Sequence, residues 1–238
     1  MSLIFATLSW GETITLANGE WAPYLSEKLK KYGFVSDIVT QSFEREGVTV
    51  KYVFLPWKRG YEEAKNGKLN GSLVWSRTEE REQFFDYSDP VIRLETVLFV
   101  RKGGGFDWDG TPQSLSGKSL GGVIGYSYGL DEAEKAGTVK ISRITSADAN
   151  LQKVAAGRLD AFIEDRQVGM ELVNKLGLAD KIEVHPKPIK MRDYHLILNK
   201  KQPENKALME KFNRGLKALR EDGTYDAIVK AAQAGEYN

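Results

Sequence analysis

The chain contains no cysteine. That excludes a disulfide framework and any thiol chemistry, and it fits an oxidising or exposed compartment. Histidine is scarce: only His185 and His195 are present, far apart, with no H-E-x-x-H and no paired Cys/His spacing, so no metal site is expected. Charge of one sign is missing as well. The 34 basic and 33 acidic residues leave a net charge of +1, so there is no basic footprint for nucleic acid or an anionic membrane. No apolar run approaches the roughly 20 residues of a membrane span. Leu3–Leu8 is mildly apolar, yet it is too short for a signal segment and lacks a basic start. Met1-Ser2-Leu3 reads as an added start on a mature chain whose signal has been removed.

What is present is ordinary globular composition, 41% hydrophobic and 28% charged over 238 residues, enough for one large or two small cores. The first third alternates strands and helices. Strands are expected at Glu12–Ala17, Val48–Leu55 and Leu69–Val74. Between them lie a helix from a Ser36 cap to about Glu46 and a second from Trp57, after Pro56, to about Asn66. This βαβαβ order implies a mostly parallel sheet. A further strand is expected at Thr96–Arg101. The Gly103-Gly104-Gly105 run and the polar stretch after it mark a boundary.

A second α/β unit follows, with strands at Ser119–Ile124, Val139–Ile144, Ala161–Ile163 and Ile182–Val184 and helices at Leu130–Ala136, Ser146–Ala156 and Arg166–Leu176. His195–Leu198 reads as a strand, and Asn205–Glu221 and Tyr225–Ala234 as closing helices. One phrase recurs: Lys65-Asn66-Gly67-Lys68-Leu69 and Ala155-Ala156-Gly157-Arg158-Leu159 each read as helix end, glycine cap, basic residue, leucine and strand. It fits two lobes of similar local architecture, and equally any α-to-β turn, since helix ends commonly use glycine.

The most informative stretch is Ser72–Pro90. Thr78-Glu79-Glu80-Arg81 looks like a helix start: Thr78 accepts early N–H groups and the acids suit the positive end of the dipole. A turn is expected at Asp86–Pro90. Arg81 then sits one turn in, beside a strand end, where its planar fork suits a carboxylate. Its bland role is an ion pair with Glu79 or Glu80. Trp21 and Trp57 both follow strands and could wall an apolar slot or simply cover the core; Tyr126 and Tyr128 add to the slot. Glu164-Asp165 closes a strand, where one acid can cap the next helix and the other can face a cleft.

Gly125-Tyr126-Ser127-Tyr128-Gly129 matches G-x-S-x-G, with Asp165 and His195 following in the order of a hydrolase triad, but no oxyanion loop accompanies it. Ser127 serves equally as an anion contact between glycines at a helix start. Gly117-Lys118-Ser119 resembles a P-loop end, but Pro112 stands where its first glycine belongs. No cofactor is expected.

Taken together, from about Thr13 to Ala231, these pieces resemble the family 3 solute-binding proteins of ABC transporters for polar amino acids. The carriers are Trp21-Ala22-Pro23-Tyr24, Trp57, Thr78-Glu79-Glu80-Arg81 with Phe85-Asp86-Tyr87-Ser88-Asp89-Pro90, Leu115-Ser116-Gly117-Lys118 before a strand ending at Gly125, Gly157-Arg158-Leu159-Asp160-Ala161 leading to Asp165, and Glu221-Asp222-Gly223-Thr224-Tyr225.

The resemblance implies an α/β, two-lobe periplasmic-binding fold of type II. Each lobe would be a mixed sheet flanked by helices, with residues 1–96 plus 195–238 forming one lobe and 97–194 the other, joined by a two-strand hinge. It implies that Arg81, Ser76 and Ser127 hold an α-carboxylate, that Asp165 takes the α-ammonium, and that Trp21 and Trp57 sandwich the side chain. Asn18 stands where some relatives carry an acid, and Leu73 and Val74 stand where amino-acid binders often carry small polar residues. A periplasmic monomer delivering a small polar ligand to an ABC transporter permease is expected. The alternatives are an enzyme, either the Ser127 hydrolase or a dehydratase on this scaffold, and a ligand-sensing module.

Overall fold

A computed structural model describes residues 12–237. The readings at Met1–Leu3 and Leu3–Leu8 lie outside these residues. The first half of the fold is the expected parallel unit. Strand β1 (Glu12–Asn18) pairs in parallel with β2 (Val48–Phe54) on one side and β3 (Gly71–Ser76) on the other. Helices α1 (Phe34–Glu44) and α2 (Trp57–Lys65) make the crossovers. The other half repeats the plan with β6 (Leu120–Val123), β7 (Ile141–Ile144) and β8 (Ala161–Asp165), all parallel, with α4 (Asp131–Lys135) and α5 (Ala147–Ala155) as crossovers and α6 (Arg166–Lys175) following β8.

Two ten-residue strands tie the halves together: β5 (Ile92–Arg101) and β10 (Lys190–Asn199). They pair antiparallel with each other through Ile92–Thr96 and Lys190–Tyr194. Beyond that segment they part. The far end of β10 joins β3 and the short β4 (Phe85–Tyr87), and the far end of β5 joins β8 and β9 (Ile182–Val184). The sheet therefore runs β2-β1-β3-β10-β5-β8-β6-β7, with the halves joined through the β5–β10 pair.

Each half has its own core. On the first, Phe43 of α1 meets Phe212 of α7 (Glu204–Glu221), with Ile14, Leu16 and Ile228 of α8 (Thr224–Gln233) around them. On the second, Leu98, Leu120 and Ile163 pack on one face of the sheet, while Phe99, Leu151 and Phe162 pack on the other.

Several boundaries differ from the sequence expectation. Helix α1 starts at Phe34 after Gly33, and Ser36 is no cap: its hydroxyl donates to the Tyr32 carbonyl and accepts from Asn18. The third strand lies two residues later than expected, at Gly71–Ser76, and the turn expected at Asp86–Pro90 begins with the end of β4. Strands β5 and β10 start four and five residues earlier than expected. Charges such as Arg93, Glu95, Arg192 and Asp193 hide their apolar alternation, and Arg93 lies 3.7 Å from Asp193 across the pair. The repeated phrase is one helix-stop geometry used twice. Gly67 and Gly157 both adopt positive φ, and Lys68 and Arg158 each donate back to the carbonyl of the residue five before.

The α1–α7 contact depends on Gly215, where a Cβ would lie 1.8 Å from the Ser42 carbonyl oxygen. Forcing the helices apart there is expected to cost about 1–3 kcal/mol or more. A Gly215→Ala variant should show a lower urea midpoint than wild type. An unchanged midpoint would show that this helix pair has slack.

Candidate functional site

The site begins with an interruption in β3. Val74 has φ +60°, a conformation that costs a β-branched residue of order 1–3 kcal/mol. It breaks the two-residue alternation, so Leu73 and Val74 both enter the core of the first half, while Trp75 packs with Ala64, Phe85 and Ile197. Opposite, β10 shifts register between His195 and Ile197. Such irregularities re-aim side chains at functional rims.

The next turn of chain fixes the arginine. Thr78 caps the four-residue helix α3 (Glu79–Glu82) by accepting from the Arg81 N–H at 3.3 Å. The Arg81 guanidinium swings back over the Trp75 ring, 4.7 Å from its centre. Its Nη1 donates to the Ser76 carbonyl at 2.9 Å and to the Ser76 hydroxyl at 3.2 Å. Its Nη2 crosses to the other half and donates to the Gly125 carbonyl at 3.2 Å. Burial lowers its pKa from the ordinary arginine value.

From the second half, the turn after β6 presents Gly125, Tyr126 and Ser127 to the same space. Gly125 and Gly129 both have positive φ, which is the local reason for the glycines of the G-x-S-x-G pattern. The Ser127 hydroxyl donates to Asp131 at 2.9 Å. His195 lies elsewhere, against the Ser88 carbonyl and the Tyr87 ring, so the triad order in the sequence is not a triad in space.

Of the expected residues, Trp21, Trp57, Ser76, Arg81, Tyr126 and Ser127 line one narrow slot between the halves. Its free space is about 40 Å³, because the halves are closed on each other. Asn18 is not in it. That side chain is buried and bonds to Ser36 and to the Gly19 N–H. Nor does Asp165 line it. Its Oδ1 accepts from the Tyr24 hydroxyl at 2.8 Å and from the N–H groups of Gln167 and Val168, capping α6. The adjoining Glu164 accepts from the Trp21 indole N–H at 3.3 Å. Both carboxyls thus hold aromatic residues of the opposite half.

Arg192 was not among the expected residues. On the shared strand β10 it donates to Ser76 at 3.3 Å, Ser127 at 3.4 Å, Thr96 at 3.2 Å and the Tyr194 hydroxyl at 2.9 Å. Its buried Nε has no partner. The available signal was its place two residues before Tyr194, on the same strand face. Among the described residues, neither Arg81 nor Arg192 is ion-paired to a carboxylate. Trp75, Tyr194 and Val74 also line the slot and were not expected there.

Two α/β halves joined by shared strands and closing on a slot define a two-lobe ligand-binding fold. The chain belongs to the bacterial extracellular solute-binding proteins, family 3, whose family profile matches residues 14–232. It is 26% identical over 220 residues to the lysine/arginine/ornithine-binding periplasmic protein of Escherichia coli (strain K12), covering 88% of this chain and 83% of that one. It is 24% identical over 211 residues to the amino-acid-binding protein AabA of Dichelobacter nodosus, covering 87% and 81%. In fold it superposes on the P235GK mutant of ArgBP from T. maritima with a TM-score of 0.77 at 23% identity, covering 94% of this chain and 96% of that one.

Glu164 gives the closed arrangement a pH dependence. Burial raises its pKa from the ordinary 4.5 to about 8, so the folded chain holds a proton that the unfolded chain releases. This contribution is complete below about pH 4.5 and is lost as pH rises through about 8. Asp165 is also raised by burial and acts in the same direction. Melting temperatures recorded from about pH 5 to about pH 9 should therefore fall more for wild type than for Glu164→Gln. Parallel curves would mean that Glu164 is not held protonated.

Proposed function

We propose that this solute-binding protein captures a small amino acid, or a close relative of one, in the slot between its lobes and delivers it to an ABC transporter permease. The observation that carries the proposal is Arg81, a partly buried guanidinium between the lobes with no carboxylate partner. In that setting a ligand carboxylate is the missing counter-ion; the Ser76 hydroxyl, which accepts from Arg81, has its own proton to donate to it, and Ser127, which also lines the slot, can join by turning from Asp131. The names of the E. coli and D. nodosus relatives, lysine/arginine/ornithine-binding and amino-acid-binding, support this ligand class.

The lobes in this account are residues 1–96 with 195–238, and 97–194. The β5–β10 pair is the hinge, because it is where strands of one half become strands of the other. Bonds such as Arg81 to Gly125 and Tyr24 to Asp165 exist only with the lobes together. A ligand that binds this closed state more tightly shifts the population toward it, and the permease reads that state. The working protein in this reading is a monomer outside the cytoplasm.

A thermal-shift screen against amino acids tests this. A ligand at a hundredfold excess over its Kd adds about 2.7 kcal/mol of stability. Arg81→Ala should lose about 2–5 kcal/mol of binding in calorimetry, while Arg81→Lys, with its charge but not its fork, recovers part of it. Arg81→Ala binding as tightly as wild type would contradict the proposed carboxylate site.

A further inference from the structure

The slot has a guanidinium at one end and a corner of aromatic rings at the other. Trp21 and Trp57 stand at 81° with centres 6.4 Å apart, Trp21 and Tyr126 at 85° and 6.4 Å, and Trp57 and Tyr126 at 86° and 6.3 Å. The three rings meet edge to face at one common spacing and form an apolar corner of the slot, not the parallel sandwich expected of Trp21 and Trp57. A cation seated in such a corner lies within the about 6 Å reach of each ring centre that cation–π attraction requires. The polar edges of both indoles are already used: Trp57 Nε1 donates to the Glu20 carbonyl at 3.2 Å and Trp21 Nε1 to Glu164. What these indoles offer the slot is therefore aromatic, apolar surface.

Among the described residues, no acidic side chain lines the slot. Asp165, the residue for an ammonium group by family resemblance, is committed to Tyr24 and the α6 terminus. A primary ammonium entering here would bring three N–H donors with few acceptors to receive them, and an unmet buried donor is costly. A fully N-methylated nitrogen has the same charge and no donors. Its methyl groups gain from apolar burial and its charge from the ring faces.

We propose that the ligand is an N-methylated zwitterion, its carboxylate on Arg81 and its alkylated ammonium in the corner of Trp21, Trp57 and Tyr126. This rests on the binding function and the carboxylate site proposed above. Trp57 is a specificity-determining residue in this scheme. Its position depends on Gly19, where a Cβ would lie 2.6 Å from the indole. The two guanidiniums of Arg81 and Arg192, neither ion-paired to a carboxylate among the described residues, make a dicarboxylate the competing ligand class.

Calorimetry with matched pairs separates the cases: glycine against N,N,N-trimethylglycine, proline against N,N-dimethylproline, and succinate alone. The methylated member of a pair should bind about tenfold or more tightly than its parent. Trp57→Leu, which keeps apolar bulk but removes the ring, should erase that preference, whereas Arg81→Ala should weaken both members. Parents binding as tightly as their methylated forms would overturn the inference and leave the amino-acid function standing. Succinate alone binding would overturn the zwitterion. If no compound on this panel binds while the amino-acid screen yields a ligand, the inference fails and the amino-acid function stands; if the screen also yields none, the function fails with it.

Discussion

The structure depends on a guanidinium enclosed without a counter-charge. Arg81 is tied to Ser76 in its own lobe and to the Gly125 carbonyl in the other, and neither contact neutralises it. Neutral acceptors satisfy its donors but leave its charge in a poorly hydrated place. The aromatic surroundings contribute, with Trp75 beneath the guanidinium plane. A ligand carboxylate would supply the rest, and its attraction is strongest when the lobes exclude water. Affinity and closure are then two aspects of one interaction.

The remaining architecture holds that charge between the two halves. Each half is built on hydrophobic packing of its own, with Val168, Tyr126 and Leu172 of the second half meeting the core of the first, and the β5–β10 pair is the sheet connection between them. Arg192 lies on that connection and touches Ser76 on one side and Ser127 on the other, so the hinge and the slot share a residue. Across the mouth, Glu164 and Asp165 fasten Trp21 and Tyr24. Single hydrogen bonds of this kind are each worth on the order of 1 kcal/mol net.

Much of this was legible in the sequence because it is local. The cap at Thr78, the fork at Arg81 and the glycine stops at Gly67 and Gly157 are each decided within a few residues. Trp21 and Trp57 stood out because large aromatics followed strands in turn positions. What could not be read depends on partners far away in the chain. Asp165 meets Tyr24 across 141 positions, and that bond helps draw its carboxylate away from the slot. Asn18 is absorbed by Ser36 because α1 begins two residues before its expected cap. Val74 reads as an ordinary strand valine; only the pairing of β3 with a shifted β10 accompanies its left-handed backbone. Arg192 was concealed by the charges that made its strand look like a loop.

The central claim is that the two lobes close on a ligand through Arg81. The chain has no cysteine of its own, so one introduced pair, Lys58→Cys and Lys175→Cys at opposite rims of the cleft, accepts spin labels at defined positions. Pulsed electron spin resonance then reads the distance between the lobes directly. With the best-stabilising compound from the screen at saturation, the distribution should collapse to a single short distance, and in the Arg81→Ala background it should stay broad. An unchanged distribution on adding that compound, or equal closure without Arg81, would contradict the account.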